Sequence, residues 1–372
     1  MLTLQKAAGW LVFSTLTLAG AVDQDAKSLL DHGHFKRARA VAEKRLSANA
    51  KDAEALVLMA RIKLAYGDAD AATSLAQQAI AADGKNSAAH AALGEAVGTK
   101  ARDAGFMDKI SMAKQVRHEF EMAVEFDSKN LDGLEGLMSY YLEAPGIAGG
   151  SKSKALEIAD KIMQLNPERG YYAKAEIAQN DKHADQLEGF YLKAAESNPA
   201  SYEALMRLAG IYASEKVKNY DKAMFYAQKA EQIDPGSSGA YSVLAQIYVT
   251  QEKWPSLDAV LAQAEKEVSD NLQPFYAAGR SLIATGKDFP RAEQYFRKYL
   301  TQQEVEGNAP PLAAAHWRLG QILEKENKKD EAAREIETAL KIRTGLQKQV
   351  VEEAQKDLKR LQGSASSSGH NQ

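Results

Sequence analysis

Apolar and small residues recur along this chain in a pattern that predicts paired helices. In the first half of each unit, an apolar residue is followed three positions later by another and then by a small residue, as in 205–209 and 241–245. This spacing places the residues on one face of a helix. The small residue recurs after 34, 44, 37, 34, 36, 34 and 41 positions, at Ala60, Gly94, Met138, Ala175, Ala209, Ala245, Gly279 and Gly320. The sequence therefore predicts a repeated unit of about 34 residues, and we expect Met138 to loosen or reshape its own unit.

A second set of positions follows each small residue and predicts the partner helix. Its members are seven positions apart, or two helical turns, so each pair shares one helix face. The pairs are Ala72/Ala79, Val116/Ala123, Ala155/Ile162, Leu187/Ala194, Ala223/Ala230, Leu257/Ala264, Ala292/Tyr299 and Ala332/Ala339. Proline punctuates three units, at 167, 199 and 235. Small residues on both helices allow close approach, so two antiparallel helices are expected in each unit.

At these positions the chain resembles the tetratricopeptide repeat family, whose pattern is W-x2-L-G-x2-Y, A-x3-F and P at a 34-residue period. The likeness covers about residues 26–344, with eight full units and a partial unit whose second helix includes residues 35–42. It implies an all-α, right-handed superhelical solenoid of stacked antiparallel helix pairs. We assign residues 22–344 to this array.

The last residues of the chain predict a cap and a tail. Residues 345–362 form an amphipathic pattern that we interpret as a C-terminal capping helix. Residues 363–372 are rich in Ser and Gly, and we expect them to be disordered.

Residues 1–21 resemble a secretory signal rather than a part of the array. One charge, Lys6, precedes an apolar core that ends in small residues at 19–21. Cleavage after Ala21 would release an exported, periplasmic protein without a membrane span. An uncleaved anchor and a first helix of the fold are the two alternatives.

Composition narrows the possible functions. Lys and Arg number 47 against 50 Asp and Glu, a net charge of −3 that lacks the basic footprint of a nucleic-acid-binding protein. The absence of Cys excludes disulfides, a thiolate nucleophile, Cys-bound zinc and a lipoprotein anchor.

Three insertions break the 34-residue period. The first, around 100–107, predicts a longer helix or loop, or a lip over the groove; the third, 305–311, predicts a hinge or linker. The second, 144–154, contains a Gly-rich turn that lacks the Gly-Lys pair and the preceding strand of a phosphate-binding loop. We interpret it as a structural turn, with an anion site as the alternative. Its candidate residues are Gly149, Gly150, Ser151, Lys152 and Ser153.

Motifs for catalysis or metal binding are missing from the sequence. There is no H-E-x-x-H and no G-x-S-x-G, and the only close histidine pair, His32 and His34, suits a solvated turn. Asp68 and Asp70 suit helix capping. We expect neither cofactor nor metal, and no enzyme activity; an enzyme built around the Gly-rich turn is the remote alternative.

The family resemblance supplies the candidate binding surface. In the family, the second, fifth, ninth and twelfth positions of each first helix line the concave face. The fifth and ninth positions here are Val57/Arg61, Ala91/Glu95, Glu135/Ser139, Tyr172/Glu176, Met206/Gly210, Ser242/Gln246, Tyr276/Arg280 and Trp317/Gln321. From these we select Arg61, Glu135, Tyr172, Glu176, Met206, Gln246, Tyr276, Arg280, Trp317 and Gln321 as groove candidates. Packing between neighbouring units is the alternative role for the aromatic residues.

The expected function is therefore an exported interaction scaffold that binds a peptide or partner protein in its concave groove. The alternative is a structural or assembly subunit of an envelope, secretion or outer-membrane complex that docks through its outer surface or ends.

Overall fold

The computed structural model describes residues 26–342 and 345–368. Successive helices, joined by turns and loops, run along these residues. The predicted signal segment, 1–21, lies outside these residues. A helical stretch at 26–31 is α1. The following α-helices are α2 Phe35–Ala48, α3 Ala53–Ala65, α4 Ala69–Ala82, α5 Ser87–Asp103, α6 Phe106–Phe126, α7 Leu131–Glu143, α8 Lys152–Leu165, α9 Pro167–Asn180, α10 Leu187–Ser197, α11 Tyr202–Ala213, α12 Tyr220–Ile233, α13 Ser238–Thr250, α14 Trp254–Glu267, α15 Gln273–Thr285, α16 Phe289–Tyr299, α17 Leu312–Lys325, α18 Lys329–Ile342 and α19 Lys348–Ser368.

Consecutive helices pack as pairs, from α3 with α4 to α17 with α18, and each pair packs on the next. The all-α solenoid of stacked helix pairs predicted from the sequence is confirmed. In the part of the chain that the structure describes, no strand interrupts the array.

Polar capping side chains begin nine of the described helices and stabilise the turns before them. Each capping side chain accepts the backbone N–H three residues on, which satisfies one of the free donors at a helix start. The capping residues are Asp52, Asp68, Asn86, Asn130, Ser151, Asn166, Ser201, Asn219 and Asp288. The cap at Asn166 is followed directly by Pro167, so this proline starts a helix as well as ending the one before.

The small positions of the first helices lie where the partner helix comes nearest. A Cβ placed on Gly94 would lie 2.8 Å from the Phe120 ring, and one on Gly279 would lie 2.7 Å from the Phe296 ring. Both rings belong to the partner helix of the same pair. Met138, which departs from the small pattern, is nevertheless completely buried.

Two of the insertions add local structure to the array. The first lengthens the α5–α6 pair, whose helices have 17 and 21 residues. The second places a single 3-10 turn, Gly146–Ala148, between α7 and α8.

The C-terminal helix covers the last pair, but its boundaries differ from the expected ones. It runs Lys348–Ser368, and Ala354 and Leu361 are buried in the core that α17 and α18 share. Residues 363–368 are helical where we expected the disordered tail to start. Extending an existing helix is much easier than nucleating one, which accounts for the longer helix.

The array closes on itself through contacts between its beginning and its seventh full pair. Arg37 binds Asp270 at 3.0 and 3.1 Å, and Arg39 binds Glu304 at 2.6 and 2.7 Å. The Lys36 backbone N–H donates to the Glu306 carboxylate at 3.0 Å. We call these contacts the seam. Glu306 is only 2% exposed, so the segment expected to be a hinge or linker is a packed part of the structure.

None of the helices in residues 26–342 and 345–368 combines the length and the apolar character that a membrane crossing requires.

Candidate partner-binding groove

The inner face of the array carries a chain of ion pairs that connects several repeats. Arg61 of α3 binds Asp132 of α7. Arg169 of α9 also binds Asp132, at 2.8 Å, and binds Glu135 at 2.5 Å. These four side chains come from three helix pairs, so the groove surface is held in place across the repeats.

Burial and neighbouring charges shift the pKa values of the acidic side chains in this groove, and the shifts differ in direction from one residue to the next. Burial disfavours the ionised form of Asp132, but Arg61 and Arg169 outweigh it and lower the pKa of that carboxyl. Burial raises the pKa of Glu135, although Arg169 opposes the shift. Burial also raises the pKa of Glu176, to which Ser139 donates a hydrogen bond at 2.5 Å. The groove therefore holds one firmly ionised carboxylate, Asp132, beside two carboxylates, Glu135 and Glu176, whose ionised form burial disfavours.

We expect Asp132→Asn to lower the free energy of unfolding at pH 7 by about 1–3 kcal/mol, since the uncharged amide has one acceptor oxygen for the two guanidinium donors of Arg61 and Arg169 and leaves one of them without its acceptor. The pKa of Asp132 is lowered by folding, so its stabilisation is present above the ordinary Asp pKa of about 3.9 and is lost as pH falls. The difference in the free energy of unfolding between wild type and variant should therefore become smaller below about pH 4. Urea denaturation at several pH values measures it, with exposed Asp160→Asn as the control; a gap that does not change with pH would contradict the assignment.

A second polar network fixes the middle of the groove. The Tyr172 hydroxyl donates to Glu168 at 2.8 Å and lies 3.0 Å from Ser201 Oγ. Glu168 also accepts from Ser201 and from Asn198 Nδ2, the latter at 2.6 Å. The α9 helix is thereby connected to the start of α11, and the Tyr172 ring is held in a set position.

The first helical stretch, α1, lies against this surface. Lys27 lines two cavities of about 650 and 530 Å³, and Asp31 lines the smaller one. Burial raises the pKa of Asp31, while Lys27 and Arg61 oppose the shift. The groove is therefore framed on one side by the start of the described chain.

The structure brings four of the predicted groove residues together: Arg61, Glu135, Tyr172 and Glu176 line the two cavities beside α1. Met206 is partly buried and packs in a small cluster with Leu205. Further along, Gln246 is partly buried and Arg280 is exposed.

Three predicted residues contact the core or the capping helix. Tyr276 is 8% exposed, with its ring centroid 5.3 Å from that of Phe296. Trp317 is 3% exposed, and its Nε1 donates to Asp357 of α19 at 3.0 Å. Gln321 Nε2 donates to the same carboxylate at 3.4 Å. Packing between helices, the alternative role for the aromatic residues, is therefore favoured for Tyr276 and Trp317, whereas Gln321 is partly exposed and stays a prediction.

The Gly-rich turn is closed by its own hydrogen bonds. The backbone N–H groups of Gly149 and Gly150 donate to Gly146 and Pro145, and that of Ser151 donates to Tyr141 at 2.8 Å. Lys152 Nζ pairs with Asp181 at 2.6 Å. Ser153 lies in the exposed first turn of α8. These contacts favour the structural interpretation of the turn over the anion site.

The side-chain clusters offer little for catalysis or metal binding. His90 Nδ1 lies 2.7 Å from Glu119, and His316 Nδ1 lies 2.6 Å from Glu335, each as an isolated pair. Within residues 26–342 and 345–368, no group of three or more His, Asp or Glu side chains is placed to hold a metal ion.

Several groove residues were missed because only the fifth and ninth positions were selected. Asp132, Arg169 and Glu203 occupy the second position of their first helices, which the family pattern also assigns to the concave face, and all three line the cavities. Using that position would have found them. No sequence pattern identifies Lys27 and Asp31 as cavity-lining residues, because their position in the groove depends on where α1 packs.

Comparison with known proteins agrees with the repeat pattern. Residues 276–345 match the family model described as tetratricopeptide repeat. Residues 276–345, which span most of α15 to the end of α18, are tetratricopeptide repeats. The curated proteins contain no match to this sequence.

Several solved tetratricopeptide repeat and other helical proteins resemble the chain distantly. A tetratricopeptide repeat protein from Parabacteroides merdae is 18% identical, with 82% of this chain and 98% of that chain covered and a TM-score of 0.40. The human IFIT1 dimer with m7Gppp-AAAA is 18% identical, with 92% and 80% covered and a TM-score of 0.47. Yeast Tom70 is 13% identical, with 93% and 89% covered and a TM-score of 0.38. Likenesses this distant carry no argument about what the chain binds.

Proposed function

We propose that this chain is an exported, non-enzymatic scaffold that holds a segment of a partner protein in its concave groove. The observation that carries the proposal is the set of charged and aromatic side chains, Arg61, Asp132, Arg169 and Tyr172, that lines open cavities from the first, third and fourth full helix pairs. Arg and Tyr are common anchors of protein interfaces. Because hydrogen bonds and ion pairs already fix these side chains, a partner would bind with little ordering cost.

The groove is tested by site-specific photocrosslinking in cells. A photoreactive amino acid is placed at Gln179 or Lys129, which are exposed and line the cavities, and at Glu157, which is exposed on the second helix α8. We expect one partner protein to be crosslinked from both groove positions and not from Glu157. Equal crosslinking from all three positions, or none from the groove, would contradict the proposal.

Export rests on the signal pattern of residues 1–21. N-terminal sequencing of the protein from an envelope fraction is expected to begin at Val22. An intact N-terminus in the cytosol would contradict export without affecting the groove.

Docking of the outer surface in a larger envelope assembly is the second candidate. It is favoured by apolar side chains exposed on second helices, where Phe225 of α12 is 50% exposed and Leu156 of α8 is 46% exposed. Crosslinks that form from Phe225 and Leu156 but not from the groove would support this candidate instead.

A further inference from the structure

We infer that a further pocket of the groove, between the first two insertions and distinct from the two cavities beside α1, receives a Lys or Arg side chain. That side chain stands beside apolar residues in the partner segment. This inference rests on the proposed function and names the chemistry of the partner. The pocket, here called the insertion pocket, has a volume of about 820 Å³. Its walls come from the lengthened α5–α6 pair, from α7 and from the start of the Gly-rich insertion.

The floor of the insertion pocket carries carboxylates that have no direct cationic partner. The Glu95 side chain is partly buried, and among the described residues no hydrogen bond or ion pair reaches its carboxylate. Burial raises the pKa of Glu95, and the nearby charges of Arg61 and Arg169 oppose that shift. Glu176 accepts a hydrogen bond only from the neutral Ser139 hydroxyl. Asp132 and Glu135, by contrast, are paired with Arg61 and Arg169. Glu95 and Glu176 therefore lack the direct ion pair that their neighbours have.

The rim adds charge of both signs but leaves the pocket acidic. Glu143 lies at the mouth, and its charge opposes ionisation of Glu176. Arg102 and Lys109 line the pocket from the end of α5 and the start of α6, and Arg169 of α9 lines it as well. These three cations stand against five lining acids, Glu95, Asp132, Glu135, Glu143 and Glu176, so the pocket keeps a negative balance. A phosphate or an acidic peptide would face these carboxylates, which argues against nucleic acid and against acidic tails as occupants.

Exposed apolar side chains stand close in sequence to residues that line the pocket. Phe106 is 73% and Met107 75% exposed between the lining residues Arg102 and Lys109, and Ile147 is 83% exposed two residues after the lining Pro145. These are the most exposed large apolar side chains of the described chain. The inner walls add Val116 and Pro145. A Lys or Arg side chain places its methylene stem on such walls while its charge reaches the carboxylates, and neighbouring apolar side chains would cover the rim.

Selection from a random 12-residue peptide library on phage tests the inference with the purified full chain. We expect the enriched peptides to share a Lys or Arg next to apolar residues. A synthetic copy of the best peptide should bind at least tenfold more weakly to the Glu95→Gln/Glu176→Gln variant. The control Glu157→Gln, an exposed acid on α8, should bind like wild type. Replacing the basic residue of the peptide with neutral citrulline or norleucine should cause a similar loss.

The outcomes separate this inference from the proposed function. Enriched peptides without a basic residue, or basic peptides that bind the double variant as tightly as wild type, would overturn the inference and leave the groove as a binding surface. A library that yields no groove-binding peptide would count against both. Circular dichroism of each variant establishes that the substitutions leave the helices intact.

Discussion

Replacing Gly170 with alanine is expected to lower the free energy of unfolding by about 1–3 kcal/mol, the usual cost of overpacking. Gly170 lies in the first turn of α9, where a Cβ would come within 2.4 Å of the Met163 Cα in α8. That atom belongs to the backbone and cannot rotate away, so the two helices would have to separate. The loss of stability should appear as a lower urea concentration at the midpoint of unfolding.

The matched substitution at Gly210 is expected to change the free energy of unfolding in the opposite direction. This glycine is also helical, in α11, and nothing lies within 4 Å of a Cβ built on it. Gly210→Ala should therefore stabilise by about 0.5–1 kcal/mol through the lower entropy cost of alanine in a helix. If both variants are equally stable, the close α8–α9 contact does not exist in solution.

The comparison of these glycines shows why the repeat pattern could be predicted from the sequence. Two helices joined by a short turn meet at positions that are fixed by helix geometry, so Gly94 and Gly279 are small for a local reason. The family resemblance, carried over onto this register, placed Glu135 and Tyr172 on the concave face, and both line a cavity there.

Local reasoning fails where distant parts of the chain meet. Tyr276 and Trp317 hold the same register position as Tyr172, yet Phe296 and the C-terminal helix cover them. Glu306, which the sequence places in a linker, is buried against the N-terminal pair. Tyr276 and Trp317 are covered by neighbouring helices, whereas the burial of Glu306 depends on how far the array curves over many repeats, because small rotations from one repeat to the next add up to that curvature. No short sequence pattern encodes the sum of these rotations.

Closure of the array gives the last prediction, because a single side chain at the seam should open it. A Cβ on Gly307 would lie 2.9 Å from the backbone carbonyl of Ala65 at the end of α3. Gly307→Val must therefore lift the 304–308 segment away from the N-terminal pairs. We expect a larger radius of gyration and a longer maximum dimension in small-angle X-ray scattering, with the helix content unchanged, because each pair keeps its neighbours.

A second variant and a control make the scattering result specific. Arg37→Ser/Arg39→Ser removes two partly exposed ion pairs that stabilise the seam by roughly 0.2–1 kcal/mol each, so it should open the array less and should lose its effect at high salt. Gly146→Val is the control, since this glycine also lies in an insertion and has nothing within 4 Å of its Cβ position. If Gly307→Val scatters like this control, the ends do not meet in solution. If it opens, the seam sets the width of the groove, since it holds the α1 side of the cavities in place.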